Sequence, residues 1–256
     1  MPIVIKYGGN AMTDTTLRQE VAREIRALAG EGLQPIVVHG GGPFIKVALD
    51  KAGLEHHFVR GLRVTSAESL PIIEQVLTLL NKELAQEIGN AIGLTGRDAQ
   101  VLQAETFDAS LGLVGKITEV NKKLLTSLLS VNITPVLACL AEDASMNKNQ
   151  GVLNVNADDV AGAIAGALAI PVIFLTDIAG VLDNPNDKGS LLPALDSSDI
   201  RQRIQDGRIS GGMIPKVEAA LDALNQGASY AVIADGRGAA TLRQAIAGKA
   251  GTRVSR

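Results

Sequence analysis

Ile3-Val-Ile-Lys-Tyr-Gly-Gly9, at the start of the chain, and Ile36-Val-Val-His-Gly-Gly-Gly-Pro43, one helix-length later, share the plan that decides the fold. In each, a short run of Val and Ile ends in a glycine cluster. The runs are apolar without alternation and too short for a helix, so they read as strands buried on both faces. Between them, Leu17, Val21, Ile25 and Leu28 recur at the spacing of one helical face, with Gly30 or Gly32 placed to end the helix.

The same alternation continues outward. Ala91–Leu94, Pro135–Leu140, Val172–Leu175 and Tyr230–Ala234 read as further buried strands. Leu70, Ile73, Leu77, Leu80, Leu84 and Ile88 mark a long helix, Leu124, Leu128 and Leu129 another, and Val217, Leu221 and Leu224 one that ends near Gly227. Strands alternating with helices imply an α/β protein, a three-layer αβα sandwich around a mainly parallel sheet. Phe107 to Thr118, punctuated by Gly112 and Gly115, reads as a hairpin over the sheet edge, and Asp183 to Gly189 as a polar loop. With 256 residues the chain is one large domain or two lobes sharing a continuous sheet. The expected boundary is near Ala169, where an Ala-rich helix ends and Pro171 opens a strand, giving an N-terminal lobe over 1–169 and a C-terminal lobe over 170–256.

Composition narrows the function. A net charge of -3 provides no electrostatic footprint for nucleic acid, and with no Trp a base-stacking platform is hard to build. The single cysteine, Cys139, lies in an apolar run and reads as a core residue in a reducing compartment. No basic segment followed by an apolar stretch opens the chain, so no signal peptide is expected. Val160 to Leu175 is uncharged but short for a membrane span and split by Pro171. The expectation is a cytoplasmic protein without nucleic acid or membrane partners.

The glycine clusters sit where parallel α/β sheets collect ligands, at the carboxyl ends of strands. Glycine lets backbone N–H groups approach an anion, and a following helix adds positive partial charge. Taken alone, either cluster is equally well explained as a tight turn. There is no G-x-x-x-x-G-K-[ST], and the G-x-G-x-x-G frame from Gly40 has Ile45 where the third glycine belongs. Lys6 ends a buried strand, although a strand-end lysine commonly snorkels to solvent. Lys216 falls with Pro215 in the first turn of a helix, where a cation is disfavoured unless an anion shares the site. Two lysines converging on a transferring phosphoryl group would stabilise its charge, and a carboxylate between them would fix them. Asp158, ahead of the Ala-rich helix, is the candidate, though by itself it reads as an ordinary helix N-terminal carboxylate.

Together the motifs resemble the amino-acid kinase family, whose fold is carbamate kinase-like, and within it the branch acting on N-acetylglutamate. Lys6-Tyr-Gly-Gly9, His39-Gly-Gly-Gly42, Gly61-Leu-Arg-Val-Thr65, Asn154-Val-Asn-Ala-Asp158, Thr176-Asp-Ile-Ala-Gly-Val-Leu182 and Gly212-Met-Ile-Pro-Lys216 fall in that family's order. The resemblance implies an N-terminal lobe for the acyl-amino acid and for dimerisation, and a C-terminal lobe for ATP. Mg²⁺ would be held mainly by the nucleotide phosphates, with no protein metal site. Lys6 and Lys216 would stabilise the transferring group, with Asp158 orienting them. Gly8 and Gly9 would contact the ATP phosphates, and Gly41 and Gly42 the acceptor. Arg63 would pair with the α-carboxylate of N-acetyl-L-glutamate, and Asn154 and Asn156 would help hold that substrate. Asp177, Ile178, Ala179, Gly180, Val181 and Leu182, with Arg208, Ile209 and Ser210, would line the nucleotide site.

The implied reaction is phosphorylation of the substrate's γ-carboxylate, giving N-acetyl-L-glutamyl 5-phosphate and ADP in arginine biosynthesis. No convincing general base is visible, which suits a carboxylate acceptor already ionised at neutral pH. A kinase for another acid, such as carrier-bound aminoadipate, a non-catalytic nucleotide sensor, and more distantly a dehydrogenase are the alternatives. Arginine-inhibited members of the family carry an additional N-terminal helix not seen ahead of the first strand here, so an arginine-insensitive homodimer is the expectation.

Overall fold

The computed structural model of the chain describes residues 1–8, 12–145, 151–184, 186, 187 and 189–256. From the N-terminus run β1 (Pro2–Tyr7), α1 (Thr15–Gly30), β2 (Gln34–His39), α2 (Gly42–Lys51), β3 (Phe58–Val59), β4 (Leu62–Arg63), α3 (Ser69–Ile88) and β5 (Ala91–Leu94). The middle of the chain adds β6 (Leu102–Thr106), β7 (Gly115–Val120), α4 (Lys122–Ser130), β8 (Thr134–Ala138), β9 (Leu140–Asp143), β10 (Val152–Asn154) and α5 (Ala157–Leu168). There follow β11 (Val172–Thr176), β12 (Ala194–Asp196), α6 (Ser197–Gln205), α7 (Ile214–Asn225), β13 (Ala231–Asp235), α8 (Ala239–Ile246) and β14 (Thr252–Ser255).

Eight strands form one sheet in the order β12-β14-β13-β11-β1-β2-β8-β5, parallel throughout except between β13 and β14. The sheet passes unbroken between the two halves of the chain, because β11 pairs directly with β1. Alternation along β1 assigns its faces. Ile3, Ile5 and Tyr7 are buried in one hydrophobic cluster with Val21 and Ile25 of α1 and Leu242 of α8. Val4 is buried in the other with Val160 and Ile164 of α5 and Val217 and Leu224 of α7. By the same period Lys6 shares the face of Val4, the side covered by α5.

Local chemistry accounts for the element ends that frame the site. Asp14 caps α1 by accepting from the Leu17 N–H at 3.0 Å. Asn156 caps α5 through the Asp158 N–H at 2.7 Å, and Pro215 occupies the first turn of α7. Ala169 ends α5 in the left-handed region at φ 54 before Pro171 opens β11.

Two expectations are refined. The run Pro135–Leu140 is not one strand: β8 ends at Ala138 and β9 begins at Leu140, in a different sheet. Phe107 to Thr118 does lie in a hairpin, β6 against β7, but that hairpin joins β9 and β10 in a separate four-stranded sheet. Gly115 belongs there because a Cβ would come within 2.8 Å of the Leu153 Cβ. Among the described residues no helix is long and apolar enough to cross a membrane.

Candidate active site

Several of the predicted residues lie at the carboxyl edge of the large sheet, where β1 has a neighbour on either side and the chain leaves in opposite directions. Gly8 follows β1, Gly40 to Gly42 follow β2, and Asp177 follows β11. The helices α2, α5 and α7 start at Gly42, Ala157 and Ile214, each with a predicted site residue in its first turn. Their unpaired N–H groups add positive partial charge.

At the centre, the Lys6 ammonium lies 3.0 Å from Asp158 Oδ1, both side chains being partly buried. That oxygen is sealed from solvent and accepts no hydrogen bond, so charge and not direction holds the pair. The contact follows from the fold: alternation turns Lys6 toward α5, and Asp158 sits in the first turn of α5. A Cβ on Gly8 would lie 3.3 Å from the Lys6 Nζ and 3.7 Å from the Gly40 nitrogen. The bare glycine therefore keeps open the space between the ammonium and the β2 turn. Gly9 lies outside the described residues.

Around Arg63 a hydrogen-bonded chain links three motifs. Arg63 donates through Nη2 to the Gly42 carbonyl at 3.2 Å. The Thr65 hydroxyl donates to the Arg63 carbonyl at 3.0 Å, and Asn154 Nδ2 donates to the Thr65 hydroxyl at 3.0 Å. Arg63 is only 8% exposed, its guanidinium lies 4.6 Å from the Phe58 ring centre, and its Nη1 is buried with no partner. Burial pulls the Arg63 pKa below its ordinary value. Asn156 serves as the helix cap of α5. Gly41 is packed under α3, where a Cβ would meet Leu77 Cδ2 at 2.7 Å; Gly42 faces open space.

After β11 the Lys216 ammonium donates to Asp177 Oδ1 at 2.7 Å, and this hydrogen bond holds the Asp177 carboxyl below its usual range. Lys6 thus has Asp158, while Lys216 has Asp177; the structure does not hang both lysines on one carboxylate. Val181 and Ile209 are core residues, and Gly180, at φ +144, would carry a Cβ 2.6 Å from Thr252 Oγ1. Ile178 and Leu182 are partly buried, Ala179 and Ser210 exposed. Arg208 is engaged by Asp206 at 2.6 Å.

Sequence reasoning missed Thr65 as a link, although it ends a quoted motif. It also missed Asp235 and Arg237, paired at 2.8 Å at the end of β13, in register with Thr176. Their signal was position: Asp235 follows an apolar run just as Asp177 does. Asp159, next to Asp158, is pushed up to about 6 by burial and by the Asp158 and Asp222 carboxylates, against the pull of Lys116.

The arrangement sets two cations, three helix N-termini and glycine backbone donors around one edge, with a buried arginine, one nitrogen unpartnered, beside them. That is equipment for moving a phosphoryl group onto an acid. The comparisons with known proteins agree. The chain is 48% identical over 252 residues to an acetylglutamate kinase of Deinococcus radiodurans, covering 98% of this chain and 99% of that one. The smu.665 protein of Streptococcus mutans UA159 is 28% identical with a TM-score of 0.79, covering 99% of this chain and 98% of that one. A carbamate kinase of Giardia lamblia, solved with AMP-PNP, shares the fold at 18% identity and a TM-score of 0.71, covering 100% and 98% of the two chains. The model of the amino acid kinase family matches residues 1–235, and the chain belongs to that family.

Proposed function

We propose that this protein transfers the γ-phosphoryl group of ATP to the γ-carboxylate of N-acetyl-L-glutamate, forming N-acetyl-L-glutamyl 5-phosphate and ADP in arginine biosynthesis. The observation that carries the reading is Arg63. A buried guanidinium with Nη1 unpartnered is costly unless a ligand completes it, and a carboxylate meets the fork of donors best. Its Nη2 already holds the Gly42 carbonyl, so the ligand it selects lies beside the β2 glycine turn. The 48% identical acetylglutamate kinase supports the choice of acid.

In the proposed reaction a carboxylate oxygen attacks the γ-phosphorus, the bond to the β–γ bridging oxygen breaks, and its electrons leave with ADP. No proton moves, so no base is required. His39 would serve poorly as one, since burial lowers its pKa to about 4 and both ring nitrogens are engaged. Lys6 and Lys216 neutralise the charge that spreads over the phosphoryl oxygens. Their partners Asp158 and Asp177 hold them at the edge before the anion arrives. Mg²⁺ suits such a site as a companion of the nucleotide, because it keeps waters and takes only one or two carboxylates besides phosphate oxygens. Its chemistry there is charge neutralisation.

The reading includes a cytoplasmic homodimer. What supports the dimer is strand β5 at the outer edge of the large sheet, with Ile92 on it and Leu79 on α3 both large, apolar and exposed; light scattering tests it. Incubation with ATP, Mg²⁺ and each acid, followed by trapping with hydroxylamine, tests the activity. Hydroxamate from N-acetylglutamate is expected. Signal only with aminoadipate derivatives, or with no acid, overturns the assignment.

A further inference from the structure

We infer that His39 is a positioning residue that aims the Gly41 backbone N–H into the reaction site by holding the Gly40 carbonyl, in the tautomer that Asn81 imposes. The inference deepens the proposed function and rests on it for the identity of the anion that Gly41 meets.

His39 and Asn81 are both fully buried; both His39 ring nitrogens and Asn81 Nδ2 have partners within the protein, while Asn81 Oδ1 has none. Asn81 Nδ2 lies 2.9 Å from the Val136 carbonyl and 3.0 Å from His39 Nε2. A carbonyl only accepts, so the Asn81 atom facing Val136 is the amide nitrogen and not its oxygen. That nitrogen has a second hydrogen, and it points at His39 Nε2. Nε2 must then be the bare nitrogen, which puts the proton on Nδ1.

The other side of the ring agrees independently. His39 Nδ1 lies 2.9 Å from the Gly40 carbonyl oxygen, which can only accept. Burial lowers the His39 pKa to about 4, so at neutral pH the imidazole is uncharged and carries one ring proton. The chain of donors therefore runs one way, from Asn81 to the ring and from the ring to Gly40.

Its consequence lies in the peptide that follows. The described residues contain no cis peptide bonds, and in a trans unit the C=O and the next N–H point in opposite directions. Fixing the Gly40 oxygen toward the buried ring turns the Gly41 N–H away from it. Gly40 is also tied at its own nitrogen, which donates to the Tyr7 carbonyl at 3.3 Å. Gly41 is pinned from below by Leu77. The turn that faces Lys6 across Gly8 is thereby fixed before any ligand arrives, and donors fixed in advance cost no reorganisation during the reaction.

Two substitutions separate this role from plain packing. Asn carries its amide nitrogen the same number of bonds from Cα as His Nδ1, so His39→Asn can still donate to Gly40. Gln extends past that point, so His39→Gln meets Asn81 but leaves Gly40 unheld. Removing an oxyanion donor outright costs about 10²–10³ in kcat; loosening one should cost about 10- to 100-fold. His39→Gln is expected to lose that much kcat with the KM for ATP within about threefold. His39→Asn is expected to restore kcat to within about threefold of wild type. Loss of less than about threefold in His39→Gln, or equal losses in both variants, overturns the inference.

Nitrogen NMR of the resting wild-type protein supplies a readout free of turnover. Protonated Nδ1 and bare Nε2 are expected for His39; the reverse overturns the inference, even if His39→Gln fails to fold. A wild type that yields no hydroxamate from N-acetylglutamate sinks the substrate reading instead, and the tautomer result stands apart from it.

Discussion

Asp159→Asn is expected to stabilise the protein, more so at pH 7.5 than at pH 5. Burial and the Asp158 and Asp222 carboxylates raise the Asp159 pKa from 3.8 to about 6. The folded state thus holds this proton more tightly than the unfolded chain does. Stability contributed by the group is complete below pH 3.8 and lost as pH rises through about 6. The shift corresponds to roughly 3 kcal/mol above pH 7, and partial exposure reduces this to about 1.5 kcal/mol. The favourable helix N-terminal interaction that Asn gives up is smaller, about 0.5 kcal/mol. Net gain at pH 7.5 is therefore about 1 kcal/mol, or roughly 2–4 °C in Tm for a chain of this size. At pH 5 the folded state still binds most of the proton, so the cost removed is about half as large and the two effects nearly cancel. Differential scanning calorimetry at the two pH values reads the difference. A loss of Tm at pH 7.5, or an equal gain at both, would refute the electrostatic account.

Three further outcomes follow from the geometry. Arg63→Lys keeps the charge but loses the fork; the KM for N-acetylglutamate should rise about 30- to 1,000-fold while that for ATP changes less than about threefold, and steady-state kinetics showing the opposite split would remove Arg63 from the acceptor site. Lys6→Met should lower kcat by about 10²–10³ with nucleotide affinity, measured by calorimetry, within a few-fold; near-normal turnover is incompatible with its role. Gly93→Ala puts a Cβ 2.2 Å from Asn81 Oδ1, so overpacking of about 1–3 kcal/mol should lower Tm by roughly 2–12 °C in a circular dichroism melt, and an unchanged Tm contradicts the packing of α3 on β5.

Periodicity and turn chemistry depend only on near neighbours, so the sequence by itself determined most of the large sheet and its helices. Ile3–Ile5, Ile36–Val38 and Val172–Leu175 lie within three of its strands, Tyr230–Ala234 overlaps a fourth, and Leu70 through Ile88 lies in the longest helix among the described residues. Glycine clusters and the Pro215 turn marked the candidate edge. The two-residue strands β3 and β4 and the three-residue strands β10 and β12 carry too few residues to display a period.

Pairing was a different matter. Lys216 reaches Asp177 across 39 positions and Asn154 reaches Thr65 across 89, and nothing local to either residue foretells its partner. The same holds for His39 and Asn81, read from sequence as a turn residue and a position within a helix. Which carboxylate meets which lysine, and which amide orients which ring, follows from strand order and from the face each helix covers. Those are set by packing the whole chain at once, and only the tertiary structure decided them.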